Sequence, residues 1–125
     1  MGRYINGDIN LKLWFGIQSS DAADRFGVTG SQPEELYYYF SKDEHLGTVK
    51  EEITSIMKVL GDNFQKLESF FNTNASYTDS ALESYLGVSS TETRLLLSNY
   101  ADLLLGIKIR DALEANGHCE FTAEL

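Results

Sequence analysis

The chain has one cysteine, one proline, two histidines and one tryptophan in 125 residues, and it carries 10 basic residues against 19 acidic ones. A single thiol, Cys119, can form neither an internal disulfide nor a cysteine-based metal site. The two histidines, His45 and His118, belong to no HisGluxxHis or other ligand-spaced pattern. There is no GlyxSerxGly elbow, no phosphate-cradling glycine loop and no dinucleotide fingerprint; the ten glycines stand singly at turns and caps. The pairs Glu34-Glu35 and Glu51-Glu52 are sequence neighbours, which a strand or helix points apart, so they make no acid–base dyad. Apolar runs are only a few residues long, too short to cross a bilayer. The start, Met-Gly-Arg-Tyr-Ile-Asn-Gly-Asp, lacks the apolar stretch of a signal peptide. Gly2 begins like a myristoylation signal, but position 6 is Asn where Ser or Thr is needed. Together these absences lead us to expect a cytoplasmic protein without membrane attachment, cofactor or bound metal.

What is present describes a folded domain. Hydrophobic residues make up 42% and charged residues 23%, the balance of a globule, and the length fits one domain over residues 1–125. Residues 1–33 hold three acids (Asp8, Asp21, Asp24) and three bases (Arg3, Lys12, Arg25), so the net charge of −9 arises in residues 34–125. That balance opposes direct binding to a phosphate backbone, which needs clustered Lys and Arg. It suits either a solvated acidic surface or a basic protein partner.

Periodicity divides the chain into early strands, three helices and a final strand. Leu11-Lys12-Leu13-Trp14-Phe15-Gly16-Ile17-Gln18 alternates strictly and predicts a half-buried strand after a short one at Arg3–Ile5, with Asn6-Gly7-Asp8 as the hairpin turn. Residues 19–27 predict a helical turn or two capped by Ser19 or Ser20 and closed by Gly27. Leu36–Phe40 predicts a third strand, with Leu36, Tyr38 and Phe40 on one side and Tyr37 and Tyr39 on the other. From the capping box Thr48-x-x-Glu51, an eleven-residue repeat of apolar positions (Val49, Ile53, Ile56, Leu60, Phe64, Leu67, Phe71) predicts one nearly straight helix. Asn74-Ala75-Ser76 matches a glycosylation acceptor and is read as a polar loop. Tyr77 and Leu82 staple a short helix capped by Thr78 and closed by Gly87. Ser89-x-x-Glu92 opens a helix whose apolar residues between Leu96 and Ile107 cover about 200° of the wheel, the arc of a buried element. Its exposure should begin where Lys108, Asp111 and Glu114 enter. After Gly117 the end alternates, with Cys119, Phe121, Ala123 and Leu125 facing inward; this strand should be interior, paired with residues 11–17 or 36–40.

The expected fold is therefore α+β: an antiparallel sheet of about four strands, three N-terminal and one C-terminal, packed on one face by a long helix, a short helix and a buried central helix. A sheet covered on one face leaves the other free. The strand phases place Trp14, Tyr37 and Tyr39 together there, beside Lys12 and Gln18, unless the loop at 19–34 or a subunit covers them. Aromatic residues with polar tips are enriched in binding surfaces.

The opening Gly2-Arg3-Tyr4 with Gly7-Asp8-Ile9, the run from Trp14 to Asp21 and the ending from Cys119 to Leu125 resemble small uncharacterised reading frames of phage, large DNA viruses and environmental sequences. The resemblance touches both ends of the chain and no catalytic motif. It implies a viral setting, in a host cytoplasm, where small acidic proteins act by stoichiometric binding.

The reading is of a non-catalytic protein that binds another protein or self-associates as a homo-oligomer. Trp14, Tyr37, Tyr39, Asp43, Glu44, Glu51 and Glu52 are the candidate partner-binding residues. Two alternatives stand beside it: an inhibitor that meets a host defence nuclease through its acidic surface, and a small-ligand binder or enzyme using His45 or His118.

Overall fold

Ser41 ends a strand and starts a helix, and this junction sets the arrangement of the molecule. In a computed structural model, which describes residues 3–14, 17–30, 35–74 and 77–124, the order is β1 (Tyr4–Gly7), β2 (Leu11–Lys12), a 3-10 turn over Ala22–Phe26, β3 (Glu35–Ser41), α1 (Lys42–Leu60), α2 (Asn63–Thr73), α3 (Asp79–Leu86), α4 (Ser90–Asn116) and β4 (His118–Glu124). The four strands form one antiparallel sheet in the order β2-β1-β4-β3. The α+β class and the one-sided packing of helices on the sheet are as expected. So is the interior position of β4, which pairs with β3 through Tyr38↔Phe121 and with β1 through Asn6↔Thr122. Among the described residues, no helix is long and apolar enough to cross a membrane. Phe15, Ser76 and Leu125, on which parts of the expected strand, glycosylation site and core fall, lie outside the described residues, as does Gly2.

α4 is the buried centre. From Leu96 to Gly106 every residue except Ser98 and Leu104 is buried, and burial continues on one side through Ile109, Ala112 and Leu113 while Lys108, Asp111 and Glu114 face solvent. The helix therefore turns one flank outward and does not leave the core. Gly106 lets the Phe26 ring press against its backbone: a Cβ there would lie 2.5 Å from Phe26 Cε1, closer than packed carbon atoms allow. Ser89 and Thr78 cap α4 and α3 as expected, accepting from Glu92 N and Ala81 N.

Two expectations about the first long helix are corrected. The helix predicted to start at Thr48 begins about two turns earlier: Ser41 Oγ accepts from Glu44 N at 3.3 Å, and Ser41 N donates to His45 Nδ1 at 2.9 Å, so the first turn is satisfied there. Nor does it run straight to Phe71. Gly61, at φ +53° and ψ −131°, leaves helical geometry after α1, a conformation for which residues with a Cβ are poorly suited. The apolar stripe survives the break, with Val49, Ile53, Ile56, Leu60 and Leu67 all buried.

Among the described residues of the predicted strand at 11–18, only Leu11–Lys12 is strand. Leu13 N still donates to Arg3 O at 2.8 Å, but Ile17 N and Gln18 N then fold back onto Trp14 O. The chain turns out of the sheet here. The cause is distant: the Gln18 side chain, 3% exposed, donates to Asp102 Oδ1 on α4 at 2.8 Å, and a buried amide left without that partner would be costly.

Candidate protein-interaction surface

Strand pleating puts alternate residues of β1, β3 and β4 on opposite faces of the sheet. Ile5, Leu36, Tyr38, Phe40, Cys119, Phe121 and Ala123 enter the core, none more than 5% exposed. Tyr4, Tyr37 and Tyr39 stand on the other face at 45%, 42% and 47% exposure. With them are Asn6, His118 and Glu120, all exposed. The pairings Tyr37↔Thr122 and Tyr39↔Glu120 set tyrosines beside polar residues of the central strand.

This face is organised by hydrogen bonds. Tyr37 donates its hydroxyl to Glu120 Oε2, and that bond, followed by desolvation, raises the phenol pKa above its ordinary value. Asp8 clamps the central strand: its N–H donates to Glu120 O at 2.7 Å and its Oδ2 accepts from Glu120 N at 2.8 Å. His118 Nε2 lies 3.4 Å from the same carboxylate, and its ring stacks on Tyr39 with centroids 6.4 Å apart. Tyr4 N donates to Glu124 Oε1 at 2.8 Å. Asp8, Glu120 and Glu124 thus lend the surface negative charge, with Lys12 exposed at its β2 end.

Trp14 is not part of it. With Ile17 N and Gln18 N donating back to Trp14 O, the indole lies on the helical side, where it meets Phe71 edge-on at 5.5 Å and Tyr100 at 6.3 Å. Phe71 in turn stacks on Tyr100 at 5.8 Å. The aromatic group read from the sequence therefore splits: Tyr37 and Tyr39 stay together, and Tyr4, at the exposed position opposite Lys12, joins them. Residues 17–30 do not cover the face, because Ala23 and Phe26 are fully buried among the helices.

The acidic candidates also separate. Asp43 and Glu44 lie exposed in the first turn of α1, which their charge suits, and Glu51 is exposed two turns on. Glu52 instead accepts from Arg25 Nε at 2.8 Å. Lys42, Lys50 and Lys58 are exposed on the same helix, and Lys50 lies 3.2 Å from Glu114. This is a mixed surface and not a continuous acidic one.

The histidines serve local geometry. His45 accepts from Ser41 N and sets its ring edge-on against Phe40 at 5.7 Å, while His118 belongs to the outer face. Among the described residues, no group of three His, Cys, Asp or Glu is placed to hold a metal ion. Cys119 is fully buried, and desolvation pushes its thiol pKa up to about 12, which makes it a poor nucleophile.

A polar cleft that sequence reasoning missed lies between residues 17–25 and α4, with a volume of about 300 Å³. Its floor is Asp102, whose Oδ2 accepts from Arg25 Nη1 at 2.6 Å and whose Oδ1 takes Gln18. Arg25 spans Asp102 and Glu52; burial opposes its charge, but the two carboxylates outweigh that and raise its pKa. Nearby, Asp24 accepts from Tyr38 OH and from Gly30 N, the latter at 3.0 Å. These groups satisfy one another. They bind the 17–30 segment to α1, α4 and β3, and no spacing in the sequence could reveal pairs 77 and 84 residues apart.

Fold and surface define a small α+β domain with one sheet face that, among the described residues, no helix covers. Comparison with protein-family models, curated proteins and solved structures finds no match for the chain.

Proposed function

We propose that this protein is a non-catalytic binding domain that engages a basic protein surface stoichiometrically through the outer face of its sheet. One observation carries this reading: three large aromatic side chains with polar tips, Tyr4, Tyr37 and Tyr39, stand between 42% and 47% exposed on a face that no helix covers. Tyrosines supply contact area at low entropic cost, and Asp8, Glu120 and Glu124 around them complement Lys and Arg. The same carboxylates oppose pairing this face with itself, since two copies face to face would bring like charges together. A viral setting, implied by the resemblance at both ends of the chain, is in keeping with stoichiometric action. The nuclease-inhibitor alternative draws less support, because Glu52 is held by Arg25 and lysines interrupt α1.

Titration of isotopically labelled protein with a lysine- and arginine-rich peptide containing aromatic residues tests it. Amide shifts should gather on Tyr4, Asn6, Tyr37, Tyr39, Glu120 and Thr122, weaken with salt and vanish in the double variant Tyr39→Ala, Glu120→Gln. Shifts gathered on Glu44 and Glu51 of α1, or none at all, would overturn the reading.

A further inference from the structure

β3 is an edge strand, and its free edge has a definite hydrogen-bonding pattern. Glu120 exchanges both backbone groups with the β1 side, at Asp8, so by alternation Cys119, Phe121 and Ala123 direct theirs to β3, opposite Phe40, Tyr38 and Leu36. The bond from Lys42 N to Gly117 O, 2.9 Å, continues the same phase. It follows that the N–H and C=O groups of Tyr37, Tyr39 and Ser41 point away from the sheet. Ser41 N agrees, being taken by His45 Nδ1. Among the described residues, the backbone groups of Tyr37 and Tyr39 on this edge have no hydrogen-bond partner.

Edge strands that stay single are short, bulged, or guarded by Lys or Pro. β3 is seven residues long, and from Leu36 to Ser41 it carries no charge and no proline. We infer that this edge is covered by the β3 of a second copy, antiparallel about a two-fold axis at Tyr38, joining two sheets into one. In that register each Tyr37 exchanges N–H and C=O with Tyr39 of the second copy, and the two tyrosine side chains become cross-strand neighbours on the outer face. The segment is self-complementary because its outward-facing residues are the same on both sides of the axis. Charge does not oppose it: Glu120 and its copy sit three strand spacings apart, about 14 Å, beyond the screening length of about 8 Å at physiological salt. A partner on the face and a copy at the edge use different groups, so this inference stands apart from the binding reading. Solution mass reports the edge, and the peptide titration reports the face.

Two variants separate the backbone from the side chain. Tyr37→Ala keeps the N–H, whereas Tyr37→Pro removes it without breaking a β4 ladder bond, since Tyr37 and Thr122 are a non-hydrogen-bonded pair by the alternation above. In light scattering at tens of micromolar, the native protein and Tyr37→Ala should show twice the chain mass. Tyr37→Pro should show the single-chain mass with the same far-ultraviolet dichroism. A single-chain mass for the native protein, or a doubled mass retained by folded Tyr37→Pro, overturns the inference. Should Tyr37→Pro fail to fold, native amide exchange decides: Tyr37 and Tyr39 amides should exchange about tenfold or more slowly in the concentrated protein than in the dissociated one. Fast exchange of both at every concentration overturns it equally.

Discussion

Tyr37, Tyr38 and Tyr39 are consecutive and chemically alike, yet the two faces of the sheet give them opposite roles. Tyr38 is fully buried, stacked on Phe121 at 5.2 Å and on Phe40 at 6.2 Å, with its hydroxyl given to Asp24. Its neighbours are about half exposed and bond only to groups of the outer face. The difference teaches that side-chain chemistry alone does not separate a core tyrosine from a binding tyrosine. Strand phase does, once one face has been covered.

The largest test of that contrast is paired truncation. Tyr38→Ala should cost about 3–5 kcal/mol, the range for large aromatic side chains removed from cores, whereas Tyr39→Ala in the dissociated chain should stay within about 0.5 kcal/mol. Equal losses in urea unfolding would break the comparison. Next comes the polar junction that holds residues 17–30 to the inner side. Asp102→Ala leaves Gln18 Nε2 and one arm of Arg25 without their acceptor; because the Arg25 side chain is 32% exposed, water recovers part of the loss, and about 1–3 kcal/mol is expected. Faster amide exchange confined to residues 17–30 would accompany it, and an unchanged unfolding midpoint would remove the junction from the account of the fold.

The smallest effect near its onset, just above pH 9.0, is alkaline. Burial raises the Cys119 thiol from 9.0 to about 12, and burial followed by bonds to Asp24 and Glu68 raises the Tyr38 and Tyr100 hydroxyls too. For a group raised on folding, the neutral form is favoured by the native state, so its stabilisation is complete below the unfolded pKa and lost as pH climbs through the folded one. For Cys119 that window runs from 9.0 to about 12, with a slope of at most about 1.4 kcal/mol per pH unit for each such group. Urea midpoints should fall above pH 9.0 and fall less steeply in Cys119→Ala. A flat profile would mean that the inner face tolerates charge.

Local signals were legible in the sequence where the chain answers to its immediate neighbours. Thr78 and Ser89 sit one residue ahead of their helices and accept from the amides that capping predicts. The alternation of β3 and β4 correctly separated Tyr38, Cys119 and Phe121 from Tyr37, Tyr39 and Glu120. The same alternation failed for Trp14, because nothing between Leu11 and Gln18 shows that the Gln18 amide belongs to Asp102. The eleven-residue repeat likewise found the buried side of α1 and α2 but not the break between them, since Gly61 is compatible with either path until packing selects one.

By itself, the sequence determined the type of most segments, outside residues 11–18 and the ends of α1, and which side of each is apolar, because those depend on short-range sterics and the period of the side chains. Only the tertiary structure decided that Trp14 joins the helices, that Arg25 bridges Asp102 and Glu52, that Tyr4 stands with Tyr37 and Tyr39, and that β3 lies at the edge. These depend on groups far apart in the chain, whose meeting is set by the burial of the whole core and not by any local pattern.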